Sequence, residues 1–400
     1  MRVLIAEEAL QSGAGHWPNY IGGLRTAFRE AGDDVDVAVH RGAGEALCAQ
    51  VGGTPWFSRN CWVDTRSQGA FGGLRHNFVY RRELKRWLEG TTEPFDWVLA
   101  LTVRPQHLLA LARLGRDTRA LRGSRLLLLF VQGFGRYNGP EQPVCFPSSP
   151  TNRMARFCFR LLTPAVREGR VVLAAETDGM RRELEEFSGL PVKLFPHPVP
   201  PPDEPPPPAA GSSPFLLTAP GFARHEKGSD LLRAAIEELL GAGEADGVEF
   251  VLQWPEPFSL PDGSPLGPGE TLVSDPRVRL VNDNLDPVAY EKLIAASGAV
   301  LLPYRRESYH NRLSRVAIEA AGRGKPLIYT TGTWTEEVAA IAGTGVPVRE
   351  ESARALVEAI REALARRHEL EAQARAGAAA VASFHTAATF RRHLLEVMEK

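Results

Sequence analysis

The chain has 400 residues, 44% of them hydrophobic and 24% charged, a composition that excludes disordered and fibrous classes and leaves a folded globular protein. Lys and Arg number 47 against 48 Asp and Glu, a net charge of −1, so no global field steers it to nucleic acid or acidic membranes and any anion site is local. At this length two domains are expected rather than one core.

The opening MRVLIAEEAL has a short apolar run cut off by Glu7 and Glu8. It lacks the apolar region of a signal peptide, so a cytoplasmic protein is expected. Apolar runs at Val3 to Ala6, Val35 to Val39, Trp97 to Leu101, Leu126 to Val131, Val171 to Ala175 and Val192 to Phe195 predict strands. They are too uniformly apolar for a sheet with one wet face, so cover on both faces follows. Trp17, Tyr20, Ile21, Leu24 and Phe28 recur at helical spacing up to Gly32, completing a βαβ unit. The segment Pro196 to Pro208 holds nine prolines in thirteen residues, which denies backbone donors and predicts a stiff polyproline strap. Strands are predicted again at Phe215 to Ala219, Val248 to Trp254, Val278 to Val281, Ala299 to Leu302, Pro326 to Thr330 and Val346 to Val348. Asp286 and Pro287 form an N-cap and N1 pair between them. Residues 353 to 382 are rich in Ala, Arg and Glu and read as helical, and a last amphipathic helix follows. The class is α/β with two doubly wound halves. The domains are 1–196 with helix 384–400 packing back on it, a linker over 197–211, and 212–383. Ligands of such folds sit beyond the carboxyl ends of the strands, so a cleft between the halves is the default site.

Directly after the Phe215 strand stands GFARHEKGSDLL, residues 221 to 232. Gly221 turns the chain, Arg224 supplies a guanidinium fork and Lys227 a point charge, and the next helix opens with free amides. Together they suit a diphosphate and could neutralise a diphosphate leaving group without a metal. A second strand–loop–helix runs from Pro303 to Tyr329. Here Ser314 caps the helix, Arg312 adds charge, the amides of Leu313, Arg315 and Val316 join the positive helix end, and Glu319 reads either as a ligand of ribose hydroxyls or as a structural ion-pair or solvated residue. In the first half, GAGHWPNY follows the first strand. Pro18 stands where a dinucleotide fingerprint needs its third glycine, so NAD is not expected. His16 at the helix entrance reads either as a base taking a proton from an acceptor hydroxyl or as a helix cap. The Asp34-x-Asp36 pair begins a strand and is read as structural. Cys48, Cys61, Cys145 and Cys158 show no metal-ligand spacing, so free thiols and no metal are expected. Trp334 after the strand at Pro326 reads either as a ring stacking on a sugar or as a packed loop tryptophan. Arg153, Arg156 and Arg160, with Phe157 and Phe159, read either as a solvated helix face or as a peripheral contact to a lipid headgroup.

These motifs resemble the GT-B glycosyltransferases, above all glycosyltransferase family four, over nearly the whole chain. The Arg-x-x-Lys-Gly stretch at 224–228 looks like the family's diphosphate-binding Arg and Lys, with Phe222 standing where the family most often has its Arg. NRLSRVAIEAAGRGKPLI is similar to its E-x7-E segment, with Glu319 as the second Glu and Asn311 in place of the first. The resemblance also implies that Asn282 lies near the nucleobase. Gly15 and His16 belong to a Gly-His-x-x-Pro opening like that of inverting GT-B enzymes, where His is the base, and Gln132 stands where family four often carries a histidine.

The expected function is transfer of a sugar from UDP- or GDP-sugar to a hydroxyl acceptor, without cofactor or metal. The donor would lie on Gly221, Arg224, Lys227, Asn282, Arg312, Ser314 and Glu319, the acceptor on Gly15, His16, Gln132 and Trp334. Resemblance favours retention of configuration, whereas a true base at His16 favours inversion. Asn311 and Gln132 keep one rival open, a nucleotide-sugar-binding protein without turnover; a second is a GT-B epimerase or hydrolase, using the same donor pocket with no acceptor. No nucleic-acid partner and no integral membrane segment are expected.

Overall fold

Strands apolar on both faces have to be covered on both faces, and the two sheets of this protein are. The computed structural model describes residues 1–13, 15, 17–64, 69–139, 142, 144–200 and 214–398. The chain forms two compact units, one of Met1–Arg136, Val144–Pro200 and Thr386–Lys400, the other of Tyr137–Pro143 and Pro201–His385. The prolines expected to form the strap from 201 onward lie outside the described residues.

The first unit holds β1 (Arg2–Glu7), β2 (Asp34–His40), β3 (Gly53–Phe57), β4 (Trp97–Val103), β5 (Arg125–Phe130), β6 (Val171–Ala175) and β7 (Val192–Leu194). They form one seven-stranded parallel sheet in the order β3-β2-β1-β4-β5-β6-β7. Successive side chains alternate between faces. Val3, Ile5, Trp97 and Leu99 pack with Leu24 and Phe28 of the helix Trp17–Glu30 and with Phe390 of the helix Ala387–Met398. Leu4, Ala6, Val98 and Leu126 pack on the opposite face with Leu84, Leu111 and Phe159, each buried Val, Leu or Phe side chain contributing about 1.5–3 kcal/mol. The C-terminal helix is tied down by charge as well. Buried Asp33 accepts from the Met1 ammonium at 2.6 Å and from Arg391 Nε at 2.6 Å. Burial opposes its ionisation, but these two cations hold its carboxyl below the usual range.

The second unit holds β8 (Phe215–Ala219), β9 (Val248–Gln253), a hairpin of β10 (Phe258–Ser259) and β11 (Pro265–Leu266), then β12 (Val278–Val281), β13 (Ala299–Leu302), β14 (Leu327–Thr330) and β15 (Val346–Val348). Its six-stranded sheet is parallel in the order β12-β9-β8-β13-β14-β15. The expected caps are in place. Asp286 accepts from the Ala289 amide at 2.8 Å and Ser314 from the Ala317 amide at 3.2 Å.

Each sheet reverses its strand order once, between β1 and β4 and between β8 and β13. Such a switch point opens a crevice beyond the carboxyl ends of the two strands, where open α/β sheets bind ligands. Among the described residues no helix is long and apolar enough to cross a membrane.

Candidate functional site

In the second unit both sequence signals fall at the switch point. The loop after β8 carries Gly221 to Gly228, and the segment after β13 carries Pro303 to Ser314. Gly221 and Gly228 sit at φ +87° and +67°, backbone that favours glycine. A Cβ on Gly228 would lie 1.9 Å from the Pro303 carbonyl oxygen, so the two loops approach backbone to backbone. Gly228→Ala is expected to cost ~2–4 kcal/mol, strain plus clash. A urea unfolding midpoint equal to the wild type's would show that the loop yields.

A short helical turn, His225–Lys227, aims Lys227 back over Gly221 into a crevice also lined by Gln253, Trp254, Pro303 and Tyr304. The Ser229 hydroxyl accepts from the Arg224 amide at 3.0 Å and sets the loop's shape. Burial, the charge of Arg224 and that of Arg312 push the Lys227 ammonium down to about 8, with only Glu226 opposing them. Arg224 is exposed and lies 3.5 Å from Glu226, while Arg312 lies over the Tyr309 ring at 5.2 Å. A half-buried ammonium crowded by two guanidinium groups is the electrostatic signature of an anion site.

Ser314 Oγ lies 3.4 Å from the Tyr304 hydroxyl, linking the second helix start to the same crevice. Leu313, Arg315 and Val316 are half-buried around that start. The Arg315 side chain is turned away from the anion site. Its Nε donates to Glu319 Oε1 at 2.6 Å, while the Tyr290 hydroxyl donates to Oε2 at 2.9 Å. Glu319 is 5% exposed, so this carboxylate anchors its helix with one lone pair of each oxygen and retains the other. Asn311 is buried, and Asn282 is exposed just after β12.

Two residues of the crevice escaped the sequence reading. Gln253 accepts from the Gly221 amide at 2.7 Å and donates to the Asp283 carbonyl at 3.1 Å, so it joins two loops of the site. Tyr304 packs against Tyr309, ring centroids 4.2 Å apart and planes tilted by 32°. The available signal was a polar side chain at the carboxyl end of β9, after the apolar run Phe250 to Leu252.

In the first unit Gly15 and Gln132 are exposed, Gly15 at φ +82°, and His16 lies outside the described residues. Trp334 corrects the reading of a sugar-stacking ring. It is 5% exposed and meets His385 edge-on at 6.2 Å, because it opens a helix that packs inward. Phe159 is likewise core rather than surface.

The switch point between β1 and β4 holds a polar cluster that the sequence did not reveal. Glu7 accepts from the Thr102 hydroxyl at 2.6 Å. Burial, reinforced by Glu8, pushes its carboxyl up to about 8. Glu8 accepts from His107 Nε2 at 2.5 Å and from the Cys61 amide at 3.1 Å, and His76 lies 3.6 Å away. Burial works against the Glu8 carboxylate, but His107 and His76 hold it below the usual range. The ligand atoms of Glu8, His76 and His107 lie within 4.8 Å of one another, near enough to hold a metal ion. The tautomer argues against it. His107 Nδ1 accepts from the Arg104 amide at 3.2 Å, which leaves the proton on Nε2, the atom a metal would need. Beyond β6, buried Glu176 meets His197 Nδ1 at 2.7 Å, and burial raises its carboxyl to about 8. The clue in the sequence was the Glu7–Glu8 pair at the carboxyl end of a buried strand.

No protein-family model matches the sequence, and no curated protein matches it. Solved structures do match in fold. Sucrose-phosphate synthase from Thermosynechococcus elongatus aligns at TM-score 0.64 and 15% identity over 100% of this chain and 98% of that one. The catalytic domain of starch synthase IV from Arabidopsis thaliana, bound to ADP and acarbose, aligns at 0.62 and 14% identity over 100% and 98%. HepE from Anabaena, in complex with UDP and glucose, aligns at 0.62 and 14% identity over 100% of both chains. With two parallel sheets, each reversing its strand order once, the chain has the GT-B fold of glycosyltransferases.

Proposed function

We propose that the protein is a glycosyltransferase that moves a sugar from a nucleoside diphosphate sugar to a hydroxyl acceptor. The observation that carries this reading is the meeting of Arg224, Lys227 and Arg312 at the β8–β13 switch point, with Lys227 pushed down by burial and by the other two. A diphosphate relieves that repulsion, and its charge grows as the glycosidic bond breaks, so these groups stabilise the transition state more than the ground state. Charged hydrogen bonds take the place of a metal at the leaving group. Glu319 offers its remaining lone pairs to ribose hydroxyls, and Asn311 offers its amide to the donor sugar. The family resemblance favours retention of the anomeric configuration, with the leaving phosphate as base since Gln132 takes no proton; a product of inverted configuration would instead assign the base to His16.

The first unit presents the acceptor, with Gly15, His16 and Gln132 as its residues. UDP and GDP are the nucleotides implied by the motifs; among the structural neighbours HepE binds UDP and starch synthase IV binds ADP. A thermal-shift panel of UDP, GDP and ADP identifies the base, since a ligand at a hundred times its Kd stabilises by about 2.7 kcal/mol. Labelled sugar donors of that nucleotide then report the reaction. A new glycoside with retained configuration is the expected product. Free sugar identifies a hydrolase and an altered donor an epimerase, while nucleotide binding without turnover identifies a binding protein. Failure of all three nucleotides to shift the melting temperature removes the proposal.

A further inference from the structure

Beyond the donor site, one helical layer of the first unit has a surface unlike the rest of the chain. The helices Gly69–Gly90, Pro105–Arg116 and Pro150–Arg167 lie side by side on one face of the sheet, burying Leu84, Leu111 and Phe159. Their outer sides combine two features that soluble surfaces usually keep apart. The first is charge of one sign. The helix Pro150–Arg167 exposes Arg153, Arg160 and Arg167, Gly69–Gly90 exposes Arg75, Arg82 and Arg86, and Arg113, Arg116 and Arg119 stand between them. Among the described residues of these helices the one exposed acid is Glu89; of the acids beside them, Glu168 directly after Arg167 is exposed and pairs with Arg170 at 2.6 Å, and Asp117 is half-buried and paired with Lys85 at 2.9 Å. In a chain of net charge −1, this is a strong local segregation.

The second feature is exposed apolar bulk in the same stripes. Phe78 is 66% exposed, Leu74 51%, Phe157 48% and Met154 43%. In Pro150–Arg167 the residues Arg153, Phe157, Arg160, Pro164 and Arg167 follow one another at spacings of four and three, so they share a face. In Gly69–Gly90 the same geometry aligns Leu74, Phe78 and Arg82. Arg156 is no part of this surface: it lies 4.3 Å from the Phe187 ring and donates to the Phe187 carbonyl at 3.0 Å.

We infer that this three-helix face docks the protein on a lipid bilayer bearing anionic headgroups, with the arginines on phosphate and Phe78, Leu74, Phe157 and Met154 inserted at the interface. Arginine without compensating acid is attracted to a negative surface, and large apolar side chains set among the arginines gain by leaving water at the headgroup boundary. A nucleic acid would satisfy the charge but offers little to four protruding apolar side chains spread along two helices. The donor site lies on the other unit, so the inference stands apart from the proposed reaction.

Co-sedimentation of the full chain with vesicles tests it, and no donor or acceptor is needed. Binding is expected to phosphatidylcholine vesicles containing phosphatidylglycerol and not to phosphatidylcholine alone. Arg153→Glu with Arg160→Glu should weaken it by ~tenfold or more. Phe78→Ser with Phe157→Ser should abolish the part of the binding that survives high salt, since apolar insertion is not screened. Arg354→Glu with Arg392→Glu, exposed cations off this face, should leave binding unchanged, and thermal melts of every variant confirm folding. Absence of vesicle binding, equal binding to neutral vesicles, equal loss in the control variant, or displacement from vesicles by duplex DNA at comparable affinity would each overturn the inference.

Discussion

Lys227→Met should weaken nucleoside diphosphate binding by ~1.5–3 kcal/mol, the range for a charged hydrogen bond, while making the ligand-free protein more stable. The two effects have opposite signs for one reason. Burial, Arg224 and Arg312 push the ammonium down to about 8, so the free protein carries a disfavoured charge that a diphosphate turns to advantage. The pH dependence carries the same sign. Between about pH 8 and the ordinary lysine value of 10.5 the unfolded chain binds more protons here than the folded one, so this residue's penalty is full below about 8 and is relieved as pH rises through that window. Nucleotide affinity moves the other way, falling above pH 8 by up to about tenfold per unit as the free protein loses the ammonium. Isothermal titration from about pH 7 to about pH 10.5 with urea melts of both proteins checks this. A Met variant that binds as tightly as wild type, or melts lower, would show that Lys227 faces no anion.

Glu8→Ala should destabilise the first unit by ~2–5 kcal/mol, the cost of leaving buried donors to a charged acceptor unpaired. The carboxylate accepts from His107 Nε2 and the Cys61 amide, and all of these groups are shut off from water, so its removal leaves buried donors without acceptors. Glu8→Gln keeps an acceptor oxygen and should lose clearly less. Because the His107 and His76 interactions hold the Glu8 carboxyl down against burial, its contribution is present above the ordinary carboxylate range and is lost as pH falls through the lowered value. Urea unfolding followed by tryptophan fluorescence reads both variants. Nucleotide affinity should not change, since the residues proposed to hold the donor belong to the other unit. A Glu8→Ala midpoint close to wild type would mean the cluster is hydrated rather than sealed.

Much of the fold was legible from apolar runs. All twelve expected strands exist, because fully buried parallel strands are short and uniformly apolar. The edge strand Gly53–Phe57 was missed, since GTPWF carries a proline and exposes two of its five residues, a pattern tolerated only at a sheet edge. The cap at Ser314 and the cations at 224 and 227 were visible as local motifs after strands. Gln253 and Tyr304 were not, being defined by a neighbouring loop rather than by their own. Trp334 misled because strand-end position does not say which way the following helix turns its first residue.

Sequence alone determined what depends on a few neighbouring residues: which segments are strands, where helices start, and that two glycines flank a basic loop. These follow from backbone sterics and short-range hydrogen bonding, which act within one turn or one strand. Tertiary structure decided which of those segments meet. His107 reaches Glu8 from 99 residues away, Arg312 joins Lys227 only because β13 lies beside β8, and the arginine surface exists only because three separate helices share one layer. No local pattern encodes such meetings, since the sheet order that brings them about is set by burying both cores at once.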